Sequence, residues 1–177
     1  MPALTMRRRA RPVLRGFPAW LACLLLAGCA VARPPREAGP FRPPDLVELI
    51  RLEPGLQLDI RYATSNNFLG RPVYRQARAF LQRPAAEAAG RAHRRLALHG
   101  YGLLVYDGYR PWSVTREFWA RATPEQRPYV APPDKGSRHN RGCALDCSLY
   151  DLHTGQPVEM PGLYDEPTVR SHATFAG

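Results

Sequence analysis

No acidic residue precedes Cys29 in this chain, and no apolar run reaches the ~20 residues that a membrane-spanning helix needs. The first absence leaves Arg7, Arg8, Arg9, Arg11 and Arg15 unbalanced, and they supply half of the formal charge of +10. Without them 20 basic residues face 15 acidic ones, and these are scattered rather than gathered on one helix or arm. No nucleic-acid-binding motif accompanies the charge, so nucleic acid is excluded as the partner. The second absence makes a transmembrane anchor the weaker reading. Cysteine is scarce as well, with four in 177 residues, two of them (Cys23 and Cys29) in the leading segment. Cys143 and Cys147, placed four apart on one strand, would have Cα atoms ~13 Å apart, whereas a disulfide needs under ~7 Å. A disulfide scaffold is excluded, and both read as small buried hydrophobes. No internal repeat suggests a solenoid.

What is present begins with a targeting segment. A basic start, the apolar stretch Phe17 to Ala27 and then small residues form the pattern of an export signal over 1–28. Its end, Leu26-Ala27-Gly28-Cys29, resembles the lipobox of bacterial lipoproteins. That resemblance implies cleavage before Cys29, acylation of Cys29, and a protein lipid-anchored on the periplasmic side of the cell envelope. Residues 29–44 follow as a tether: Arg33 to Pro44 holds five prolines in twelve residues, which favours extended polyproline geometry. One globular domain is expected over 45–177.

Within that domain, Leu56 to Ala63 alternates apolar and polar residues, predicting a half-buried strand. Arg83-Pro84 opens a helix over the alanine-rich run to His99, with Ala85, Ala88, Ala89, Ala92 and Leu96 on its buried face and Gly100 as its stop. Leu103 to Tyr106 predicts a strand ended by the turn pair Asp107-Gly108. Pro111 suits the first turn of a second helix, Trp112 to about Ala122. Pro128 to Lys135 is loop, Cys143 to Leu149 is a strand with Asp146 embedded, and His153-Thr154-Gly155 is a hairpin turn. This order of elements predicts an α+β domain with a partly antiparallel sheet and helices packed on it.

The window Ser137-Arg138-His139-Asn140-Arg141-Gly142-Cys143-Ala144-Leu145-Asp146 carries the chemistry. A histidine at the mouth of a loop, a glycine three residues on and an aspartate on the next strand can bring imidazole and carboxylate to one point. Both are good zinc ligands, and a catalytic zinc takes three protein ligands and keeps one position for water. By spacing alone, a loop histidine beside a hydrogen-bonded strand aspartate is the better reading. Arg110 reads equally as a helix-start surface arginine, and Asp165 as a loop carboxylate.

Four segments in order then alter the balance: Asp59 to Gly70 (Asp-Ile-Arg-Tyr-Ala-Thr-Ser-Asn-Asn-Phe-Leu-Gly), Tyr106 to Pro111, Ser137 to Asp146, and Met160 to Asp165. Together they resemble the signatures of VanX-type D-alanyl-D-alanine dipeptidases from Leu52 onward, and Ser-x-His-x-x-Gly-x-x-x-Asp is that family's zinc motif. The resemblance implies a DD-peptidase/Hedgehog-like fold and zinc as cofactor, with His139 and Asp146 as metal ligands. It also implies that Arg110 is the catalytic stabiliser of an oxyanion and that Ser137 and Asp165 hold the amino end of D-alanyl-D-alanine. Asn66 stands where the family usually has aspartate. The family's Glu-x-x-His, bearing its general base and third ligand, does not occur in residues 1–177. His93 and His99 (helix), His153 (turn) and His172 with Glu166 do not reproduce it. The reading is therefore a zinc dipeptidase domain missing its last helix and strand, with impaired activity in this chain. The alternatives are a non-catalytic lipoprotein that binds peptidoglycan peptides and a related zinc carboxypeptidase or endopeptidase.

Overall fold

The computed structural model describes residues 33–172 and 174–176. The signal segment, Cys23 and the lipidation site Cys29 lie outside the described residues. From residue 34 onward the chain packs as one unit. Its elements are β1 (Leu46–Glu48), α1 (Leu49–Leu52), β2 (Gln57–Leu58), β3 (Phe80–Gln82), α2 (Arg83–Ala97), β4 (Tyr101–Asp107), α3 (Trp112–Arg121) and β5 (Asp146–Asp151), with 3-10 turns between them. The fold is α+β. β1 and β3 form an antiparallel pair, while β4 is the centre of a second sheet, parallel to β2 and antiparallel to β5. No helix among the described residues is long and apolar enough to cross a membrane.

The main core lies between α2 and the β4 sheet, where Leu49, Leu56, Ile60, Leu81, Ala86, Leu103 and Val105 are buried together. The helix starts as expected, with Pro84 in its first turn, and the chain leaves it through Gly100 at φ +83°. Its buried face is turned from the predicted one. Ala86, Ala89, Gly90 and His93 face the core, whereas Ala88 and Ala92 are exposed. The reason is tertiary: His93 accepts a hydrogen bond from the Leu103 N–H of β4 through Nδ1 at 3.2 Å, and Gly90 makes room for Glu53. A buried polar ring with a partner displaced an alanine stripe that gains little by burial.

Two strand expectations are also corrected. Only Gln57–Leu58 of the alternating run pairs with β4; after Asp59 N–H bonds Val105 O at 2.9 Å the chain turns into a 3-10 turn, Arg61–Ala63. Tyr62 leaves the sheet because its ring belongs to a second, aromatic cluster with Phe118 and Val114, in edge-on contact with Phe68 at 6.5 Å and Tyr74 at 5.9 Å. The other strand begins at Asp146 rather than Cys143. Gly142 adopts φ +67° and its carbonyl accepts from Gln82 N–H, which fixes the preceding turn on β3. Cys143 and Cys147 are free, as expected, but exposed, because Cys143 stays in the loop and β5 lies at the edge of its sheet.

At the end of β5, Asp151 accepts from the N–H groups of His153 and Thr154, and the chain turns back along the strand through Asp151 N–H to Gln156 O and Val158 N–H to Leu149 O. Part of the proline-rich segment lies on the domain, where Glu37 pairs with Arg141 at 3.0 Å.

Candidate metal centre

The centre forms where β4 ends and β5 begins. Val105 pairs with Cys147 and Asp107 with Asp146, so Tyr106 is an extra residue in the ladder, and this bulge sets two aspartates side by side at the sheet's end. The loop bearing His139 is built locally. Ser137 caps the 3-10 turn Arg138–Arg141: its Oγ accepts from His139 N–H at 3.2 Å while its own N–H donates to Asn140 Oδ1 at 2.8 Å. The turn is then stitched to the start of α3, with Arg110 N–H donating to His139 O and Asn140 Nδ2 to Arg110 O and Thr115 Oγ1.

These constraints aim the imidazole. His139 Nδ1 lies 2.9 Å from Gly108 O, and a carbonyl only accepts, so Nδ1 carries the proton. Nε2 is thereby turned to Asp146 Oδ1 at 3.3 Å. Two ligand atoms each ~2.0–2.1 Å from a tetrahedral zinc lie ~3.3 Å apart, and a carbonyl behind the imidazole is the usual support for such a ligand. The pair fits zinc by chemistry and by spacing. Burial works to lower the His139 pKa, but the hydrogen bond and charge of Asp146 outweigh it and hold the imidazole above its ordinary value. For Asp146 burial works upward, and His139 and Arg110 together bring the carboxyl below its usual range.

Among the described residues Asp107, His139 and Asp146 form one group of three with ligand atoms within 4.8 Å of one another. Asp107 is nonetheless no free ligand. Its side chain is 1% exposed, Oδ1 accepts from Tyr74 OH and Gly108 N–H at 2.9 Å each, and Oδ2 accepts from Arg110 Nε at 2.8 Å. Asp146, at 34% exposure, opens to the cleft. Asp107 is the seat of Arg110.

Arg110 is not a surface arginine: its side chain is 11% exposed and lies over the rings of Phe118 and Tyr62, 4.6 and 5.2 Å from their centres. Burial works against its charge, but the carboxylates and hydroxyls around it, Asp107 foremost, raise its pKa still higher. Nη2 reaches both Asp107 at 2.7 Å and Asp146 at 3.3 Å. Asp165 sits apart from the metal pair, with φ +59° and its carboxylate accepting from Tyr62 OH at 3.0 Å. Burial is the chief cause that pushes Asp165 up to about 6, with the Asp146 charge adding to it. Ser137, His139, Asp146, Arg110 and Asp165 border one cleft of about 1120 Å³.

Glu166 and His172 are engaged elsewhere. Glu166 accepts from Leu163 N–H, Thr168 and Arg170, and His172 Nε2 faces Tyr129 OH at 3.3 Å. Sequence reasoning missed Asp107, read as a turn former, and the tyrosines Tyr62, Tyr74 and Tyr164, whose hydroxyls bond Asp165, Asp107 and Asp146. One available signal was Asp107 itself, a charge closing the apolar run Leu103 to Tyr106.

Comparison with known proteins adds to this geometry. A family model described as D-ala-D-ala dipeptidase matches residues 42–177. Two D-alanyl-D-alanine dipeptidases are similar to the chain: that of Escherichia coli at 36% identity over 129 residues (73% of this chain, 65% of the relative), and that of Enterococcus faecalis at 37% over 145 residues (70% of each). One from Streptomyces coelicolor is 35% identical over 149 residues, 72% of each chain. The chain thus spans 65–72% of the length of these relatives.

The roles assigned to Asp107 and Asp146 predict different losses. Asp107→Asn should destabilise the fold by about 3 kcal/mol, because it leaves the buried Arg110 charge without its counter-ion. It should move zinc affinity far less than Asp146→Asn. Urea denaturation and zinc titration of both variants check this; equal losses of zinc affinity would make Asp107 a ligand.

Proposed function

This chain belongs to the D-ala-D-ala dipeptidase family, and from that premise we propose that it binds D-alanyl-D-alanine in the cleft and takes part in its zinc-dependent hydrolysis in the bacterial cell envelope. The observation that carries this reading is the approach of His139 Nε2 to Asp146 Oδ1 at 3.3 Å beside a buried, permanently charged Arg110. His139 and Asp146 would hold the zinc. When bound, zinc supplies polarisation of the scissile carbonyl and a lowered pKa for water.

The other residues act on a small zwitterion. Arg110, held by Asp107 through Nε and Nη2, borders the cleft beside Asp146 and would meet negative charge developing on the carbonyl oxygen. Asp165 pairs with the substrate ammonium, helped by the Ser137 hydroxyl on the same cleft. Residues 1–177 contain no Glu-x-x-His, so turnover by these residues alone is expected to be slow.

A second reading has one observation in its favour. The cleft, at about 1120 Å³, exceeds the ~300–1,000 Å³ of ordinary small-ligand pockets and has room for a longer peptidoglycan peptide. A zinc carboxypeptidase or endopeptidase, or a binder without turnover, would use that room. An N-acetylated dipeptide separates the readings, since Asp165 should demand the free amine.

Three outcomes are expected. Titration of the zinc-free chain should show zinc binding at least tenfold weaker in His139→Ala and in Asp146→Ala, and D-alanine release from D-alanyl-D-alanine, where measurable, should need zinc. Unchanged zinc affinity in both variants would sink the metal assignment. Dipeptide affinity of the zinc-loaded chain should fall as pH drops through about 6, where Asp165 takes up a proton and loses the charge that pairs with the ammonium. Asp165→Asn should flatten this profile, as calorimetry between pH 5 and 8 would read. Finally, Cys29→Ser should move the protein from the membrane fraction to the soluble periplasmic fraction, since two or more acyl chains are what hold such a domain stably.

A further inference from the structure

One charged group on the cleft is used neither by the metal pair nor by the amine end. Arg61 opens the 3-10 turn that follows β2, and that turn sends Tyr62 inward while Arg61 stays on the cleft wall. Its guanidinium lies 4.9 Å from the ring centre of Tyr106 and 5.8 Å from that of Tyr164, the tyrosine whose hydroxyl reaches Asp146 at 3.3 Å. Asp59 Oδ2 stands 2.8 Å from Nε as an ion pair, yet the buried Nε completes no hydrogen bond. The side chain is therefore held in place by packing and by the Asp59 charge, and it borders the cleft.

A second, independent group on the same cleft is unfinished in the same way. Ser148 is 8% exposed, its Oγ is buried without a hydrogen-bond partner among the described residues, and it borders the cleft. It lies two residues along β5 from Asp146, on the same face of the strand. Buried polar atoms are nearly always paired, and those that are not call for a partner the protein alone does not supply. A guanidinium presents a planar fork that matches a carboxylate, and a serine hydroxyl donates one more bond.

We propose that Arg61, with Ser148 Oγ as a second donor on the same cleft, holds the carboxylate at the C-terminal end of the bound peptide and makes the cleft select peptides with a free carboxyl terminus. This rests on the dipeptide reading given above. Asp165 then meets the ammonium and Arg61 the carboxylate of a zwitterion, and complementarity of that kind sets orientation as well as selectivity.

The test compares D-alanyl-D-alanine with D-alanyl-D-alaninamide, which lacks only the terminal charge, on the full chain with zinc supplied. Dissociation constants are read by calorimetry, or KM where turnover intervenes. The unmodified chain should prefer the acid by tenfold or more. Arg61→Met, which keeps a flexible stem against Tyr106 and Tyr164, should bring the acid down to the level of the amide and leave the amide within twofold of its original value. Ser148→Ala should weaken the acid alone, by a few fold. Undiminished acid binding by Arg61→Met overturns the proposal, and so does equal weakening of both compounds, which marks Arg61 as structural. If the unmodified chain binds both compounds equally, this inference fails and the dipeptide reading stands; if it binds neither, the dipeptide reading fails and takes this one with it.

Discussion

The guanidinium of Arg110 is buried under two aromatic rings, and most of the site's order follows from providing for that charge. An arginine cannot shed its proton, so it must find an anion inside the protein or cost several kcal/mol. Asp107 is that anion, and Tyr74 OH and Gly108 N–H complete its shell. Once Gly108 is held there, its carbonyl fixes His139 Nδ1 and leaves Nε2 facing Asp146. Arg110's own backbone closes the circuit, with its N–H on His139 O and its carbonyl on Asn140 Nδ2. His139 and the charge beside it are positioned by one connected set of bonds.

Three aspartates in the same neighbourhood are sorted by their surroundings into three kinds of group. Asp107 is enclosed and fully hydrogen-bonded, so it positions Arg110 and has no lone pair to offer the cleft. Asp146 is partly open, drawn toward its charged form by His139 and Arg110, and suited to a cation. Asp165 is pushed up to about 6, chiefly by burial, in a left-handed backbone conformation next to Tyr62. Arg61 borders the same cleft and brings the opposite charge to it.

How much of this was legible in the sequence differs by element. The α+β order, the start and stop of α2, the start of α3 and the place of β4 follow from Pro84, Gly100, Pro111 and the apolar run Leu103 to Tyr106, all local signals. The run Leu56 to Ala63 misled because Tyr62 is worth more in the aromatic cluster than in a sheet, and alternation cannot register a partner as distant as Phe118. The face of α2 misled for the same reason, since alanines carry a weak burial preference and His93 found a backbone donor on β4.

The sequence by itself determined the chemical inventory: a histidine and an aspartate seven residues apart around a glycine, and four ordered segments similar to one peptidase family. Those are matters of residue type and spacing along the chain. Only the tertiary structure decided that Asp107 carries Arg110 rather than a turn, that Arg110 is buried rather than on the surface, and that Arg61 and Ser148 border the same cleft with bonds unmade. Each of those facts depends on which groups lose water and which partner stands within about 3 Å, and residues from β4, the 3-10 turns and β5 come that close only in the folded chain.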